Sequence, residues 1–178
     1  MLSFESKLLY GHLLLFICSI VYQAWWKMAC SPAENSSKKQ VLLLFLTAAM
    51  GLIAVCVLLL ALFTNTATLL PVSCILAGGM ALYLCLLFLT RKYYERPVTS
   101  ELLFIVLWFT LEVATIFVLA QAGLPRHLTV LSLAGCLIIF IISLLCYVFY
   151  YRLSPSTKVL VGMIPISLTG MAAVAMSI

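Results

Sequence analysis

From Val41 to Phe63 the chain runs for 23 residues without a charged side chain. A helix needs ~20 mostly apolar residues to cross the hydrocarbon core of a bilayer, so this stretch alone is a membrane span. Five more runs have the same character. They cover roughly 8–26, 69–89, 102–122, 128–151 and 159–178, with 41–63 as the second of six. Membrane strands alternate apolar and polar residues over ~10 positions. These runs are continuously apolar, and a helix satisfies its own backbone where no water can. The expected fold is all-α: a bundle of six transmembrane helices in one integral membrane domain, 1–178.

Composition closes off the other classes. Only 8% of the residues are charged and 66% are hydrophobic, against about 25% and 45–50% in an ordinary soluble domain. Such a chain cannot cover a globular surface with ionised groups. The net charge of +5 carries no nucleic-acid signal, because no basic stripe or recognition motif accompanies it. Seven cysteines form no CxxC pair and no metal-ligand spacing. Six of them lie within apolar runs, where cysteine behaves as a small hydrophobe. Cys30 is the exception.

The connections are short. Thr64–Thr68 joins spans two and three. Gly123 and Pro125 break the chain between spans four and five, and Ser154-Pro155-Ser156-Thr157 precedes span six. Thr99 and Ser100 are candidate N-caps for span four. Ser31-Pro32-Ala33-Glu34 has capping-box spacing, with a loop or one turn expected. Span one reads as a retained helix, because Tyr22, Gln23, Trp25 and Trp26 occupy the place of a signal cleavage site.

Charge sets orientation. The odd-numbered loops carry Lys27, Lys38, Lys39, Arg91, Lys92, Arg96, Arg152 and Lys158, whereas the other side carries Lys7 and Arg126. Eight against two predicts cytoplasmic odd loops and both termini outside, in a plasma or cell inner membrane. Trp25-Trp26-Lys27, Arg91-Lys92-Tyr93-Tyr94 and Tyr150-Tyr151-Arg152 sit at the expected cytoplasmic ends. Aromatic and basic residues there anchor helices at headgroup level. Asn35-Ser36-Ser37 matches a glycosylation acceptor, but on the cytoplasmic side it is a chance match.

Glu112 stands apart. It lies mid-way along span four, near the bilayer midplane, where a charge costs about 2.5–3.5 kcal/mol on insertion scales. Trp108 and Thr115 are its neighbours at helical spacings of four and three. Span one supplies a polar stripe of His12, Ser19, Gln23 and Trp26 on one helical side. These residues either line a cavity facing Glu112 or bond to a neighbouring helix. Small residues in spans two, three and six (Thr47, Gly51, Gly78, Gly79, Gly162, Gly170) indicate close helix packing, and Pro71 and Pro165 are candidate helix breaks. Leu70-Pro71-Val72-Ser73 resembles Ile164-Pro165-Ile166-Ser167, as an inverted repeat of three-span halves would require. The other spans do not match.

No paired intramembrane aspartates, HExxH, phosphate loop or GxSxG is present. The sequence calls for no cofactor and no metal. The bilayer is the expected environment, with a membrane-protein partner or a second copy. The favoured function is a partner subunit or lipid-interacting scaffold. A small transporter or channel built on Glu112 is the alternative, and an intramembrane lipid-modifying enzyme is a third possibility.

Overall fold

The computed structural model describes residues 3–29, 37–64, 66–94 and 100–177. It contains six long helices: α1 (Phe4–Ala29), α2 (Ser37–Leu62), α3 (Thr66–Tyr94), α4 (Ser100–Gln121), α5 (Arg126–Phe149) and α6 (Pro155–Ser177). A 3-10 turn, Tyr150–Arg152, ends α5. All six are long and apolar enough to cross a membrane. The shortest has 22 residues and the longest 29, which is about 33–44 Å at 1.5 Å per residue against a core of ~30 Å. Large apolar side chains such as Phe45 (71% exposed) and Leu70 (74%) stand on the outside. Water would penalise that surface, and lipid tails do not. The chain is an integral membrane protein.

Local sequence accounts for the helix ends. Glu5 and Glu101 lie in the first turns of α1 and α4, and Lys27 and Arg91-Lys92 in the last turns of α1 and α3. Each charge opposes the dipole end beside it. At the end of α4, Leu124 N–H donates to Leu119 O at 2.9 Å and Gly123 N–H donates to Ala120 O at 3.3 Å. Gly123 has φ of +107°. This is a Schellman stop, and glycine supplies the left-handed residue that it needs. Pro125 then takes the N-cap position of α5. Neither Pro71 nor Pro165 breaks its helix, since α3 and α6 run through them. Cys30, the spacing Ser31–Glu34, Asn35-Ser36, Glu95, Arg96 and Thr99 lie outside the described residues.

The chain forms two compact units. One contains α1, α2 and α6, and the other α3, α4 and α5. The boundary cuts across the three-plus-three halves that an inverted repeat would need.

In the first unit α1 lies between α2 and α6. A Cβ on Gly11 would meet Leu58, and Cys18 Sγ donates to Thr47 O at 3.3 Å. Toward the other end, Gln40 Nε2 donates to Met28 O at 3.4 Å. The pairing order makes α1 and α2 antiparallel. The order of α1–α6 contacts, described below, makes that pair antiparallel as well.

In the second unit α4 lies between α3 and α5. Over half of its apolar stretch (56%) is buried, against 11–17% for the other helices. Leu102, Ile105 and Val106 of α4 meet Phe140 and Tyr147 of α5, with Leu82, Tyr83, Leu86 and Leu87 of α3 against them. Phe109 stacks on Phe140 at 4.4 Å between centroids. Gly79 of α3 lets Thr110 approach, and a Cβ there would collide with the threonine side chain.

Candidate functional site

The polar stripe of α1 is turned toward α6. Gln23 Nε2 donates to Ser167 Oγ at 3.0 Å, and Ser167 Oγ donates in turn to Met163 O at 2.9 Å. Trp26 Nε1 donates to Val159 O at 3.2 Å. The Trp26 ring lies over Gly162 and Ser19 Oγ lies against Gly170, so closely that a Cβ on either glycine would collide with it. Ser19 Oγ donates to Phe16 O at 2.7 Å within α1. The small residues of α6 therefore admit the polar side chains of α1. In lipid no hydrophobic gain drives helices together, so close packing and hydrogen bonds must hold this seam.

His12 belongs to the same face, seven residues before Ser19, and is fully buried. Its Nδ1 lies 2.8 Å from Leu8 O. A carbonyl oxygen only accepts, so Nδ1 donates. A neutral ring then presents Nε2 as an acceptor.

Glu112, Trp108 and Thr115 lie in the other unit, on α4. Glu112 is 1% exposed, Thr115 0% and Trp108 8%. Thr115 Oγ1 donates to Leu111 O at 2.9 Å, a bond within its own helix. Trp108 Nε1 carries no hydrogen bond among the described residues, and neither does Ser143 Oγ of α5, which is fully buried. Such groups are rare inside proteins and costly in hydrocarbon. Glu112 lies within electrostatic reach of Cys136, also on α5 and buried.

Ser143 and Cys136 do not stand out in the sequence. Both sit in continuous apolar runs, where serine and cysteine pack as small residues. Their signal was the seven-residue spacing, which puts both on the buried side of α5 with Phe140 and Tyr147.

Aromatic and basic residues expected as interface anchors lie toward the helix ends. Tyr22 stacks on Trp25 at 5.2 Å, and Trp25 lies 6.1 Å from Trp26. Lys92 Nζ lies 5.8 Å from the Phe88 ring and 5.4 Å from the Tyr93 ring. Two shallow surface grooves each join a cation to an apolar strip. One is lined by Arg126, His127, Val130, Leu131 and Ala134, the other by Lys38, Val41, Leu42 and Phe45. Among the described residues no group of three or more His, Cys, Asp or Glu is placed to hold a metal ion.

Comparison with known protein families, curated proteins and solved structures finds no match to this chain.

Proposed function

We propose that this integral membrane protein is a non-catalytic partner subunit, meeting another membrane protein through an outward helix face. The observation that carries the reading is the use made of the α1 polar side chains. Gln23 and Trp26 donate to α6. They hold helices together and do not line a route. The same distinction applies to the small residues. Gly79, Gly162 and Gly170 are filled by side chains of neighbouring helices. One small-residue face is not. Ser73, Cys74, Ala77, Gly78, Ala81 and Cys85 lie on one exposed side of α3, and a Cβ on Gly78 would meet nothing within 4 Å. Small side chains let a second helix approach closely, and the partner on this face is a transmembrane helix.

A photoreactive side chain introduced at Ala77 tests this in native membranes. The reading expects one discrete protein adduct, lost when Gly78→Leu is added. Lipid adducts alone would overturn it.

A second reading is a small transporter or channel in which Glu112 is the ionisable residue. It is favoured by the concentration of buried polar atoms around α4, namely Trp108 Nε1 and Ser143 Oγ. Flux measurements on Glu112→Gln and Glu112→Ala in proteoliposomes separate the two. If both variants carry wild-type flux, Glu112 is not the working residue.

A further inference from the structure

The register of α4 and α5 places Trp108, Glu112, Cys136 and Ser143, all buried, within one strip of depth along the helix pair. The Phe109–Phe140 stack fixes the register of these antiparallel helices. Glu112 lies three residues beyond Phe109, about 4.5 Å along α4, and Cys136 lies four residues before Phe140, about 6 Å along α5. The two therefore reach similar depths on the same side of the stack. Ser143 lies about 4.5 Å to the other side of the stack, and Trp108 about 1.5 Å to that side. Trp108 and Glu112 share a face at a spacing of four, and Cys136 and Ser143 share one at seven. The strip is about 10 Å long, and its members are between 0% and 8% exposed.

Its chemistry is complementary. The indole only donates, the hydroxyl donates and accepts, and the carboxyl supplies acceptors. Two of these groups, Trp108 Nε1 and Ser143 Oγ, carry no hydrogen bond to protein among the described residues. Buried water takes up such groups when two to four polar partners converge on it. We propose that this strip is a hydrated intramembrane site, in which water is held between the Trp108 indole, the Ser143 hydroxyl and the Glu112 carboxyl. The site does not depend on the partner reading. It would place water beside the acid of span four whether or not another protein binds α3.

The test is water contact at the indole nitrogens, read by NMR on the full chain in lipid nanodiscs with 15N-labelled tryptophan. The three indole signals are assigned by Trp→Phe substitution. Trp26 is the dry reference, because its Nε1 donates to Val159 O, and Trp25, half-buried and four residues from the end of α1, is the comparison. The expected result is a water cross-peak at Trp108 Nε1–H as strong as that of Trp25. It should survive Ser143→Ala, which leaves the indole and carboxyl as anchors, and vanish in Ser143→Ala combined with Glu112→Leu. The Trp25 and Trp26 signals should hold their positions in both variants, reporting an intact fold. Absence of the cross-peak in the wild type would overturn the proposal. So would its loss in Ser143→Ala alone, which would mean relay through the hydroxyl. Persistence in the double variant would overturn it as well, because the water would then be held elsewhere.

Discussion

Gln23 of α1 donates to Ser167 of α6 at 3.0 Å, joining two spans across 144 positions of sequence. The bond lies in a seam that also includes Trp26 with Val159 and Gly162, and Ser19 with Gly170. Three residues of the α1 polar stripe, Ser19, Gln23 and Trp26, thus meet α6.

A double-mutant cycle on this pair, Gln23→Leu with Ser167→Ala, should give a coupling of about 0.6 kcal/mol, the average for such bonds in membrane proteins. Unfolding by sodium dodecyl sulfate from mixed micelles measures it. Zero coupling would remove this bond from the account of the seam.

Gly162 should not tolerate a side chain. The Cβ of Gly162→Ala would fall on the Trp26 ring, which is tethered by its bond to Val159 O. The expected loss is about 1–3 kcal/mol, as for other overpacked contacts. Adding Trp26→Phe should recover part of it. Gly78→Ala, with open space around its Cβ, should stay within about 0.5 kcal/mol of wild type, as an ordinary surface change does.

The α3–α4 contact gives a parallel case. In Gly79→Ala the new methyl would strike the Thr110 side chain, again at about 1–3 kcal/mol. Thr110→Ala takes away two of the three atoms nearest to it, Oγ1 and Cγ2. The combination Gly79→Ala/Thr110→Ala should therefore unfold closer to wild type than Gly79→Ala does. The same unfolding titration reads both, and equal midpoints would contradict the contact.

Orientation is tested independently of packing. Eight basic residues in the odd loops against two on the other side predict cytoplasmic odd loops. Tags at both termini should be cut by protease added outside intact cells. Protection of the N-terminal tag would reverse the topology.

The helices and their order were legible because hydropathy is a local property. Runs such as 41–63 declare themselves, and Gly123-Leu124-Pro125 announces a stop and a restart in three residues. The Glu112–Trp108–Thr115 face was legible from helical spacing alone. What the sequence could not supply was the choice of neighbour for each face. His12, Ser19, Gln23 and Trp26 share one side of α1 by periodicity, but periodicity does not say that α6 lies against Ser19, Gln23 and Trp26. Gly162 and Gly170, eight residues apart on α6, decide that. Pro71 and Pro165 look like helix breaks in sequence, yet a helix loses only one internal bond at a proline, and both helices continue. Ser143 was hidden for a different reason. A lone serine in an apolar run has no signature until its buried neighbours are known.

Under the proposed function the protein works through an outward helix face and not through an internal route. The mass of the particle released from native membranes by mild extraction, read by native mass spectrometry, tests it most directly. A complex of fixed stoichiometry containing this chain is expected, reduced to the chain alone by Gly78→Leu with unfolding stability unchanged. The chain alone from wild-type membranes, or a complex indifferent to Gly78→Leu, would contradict the partner role.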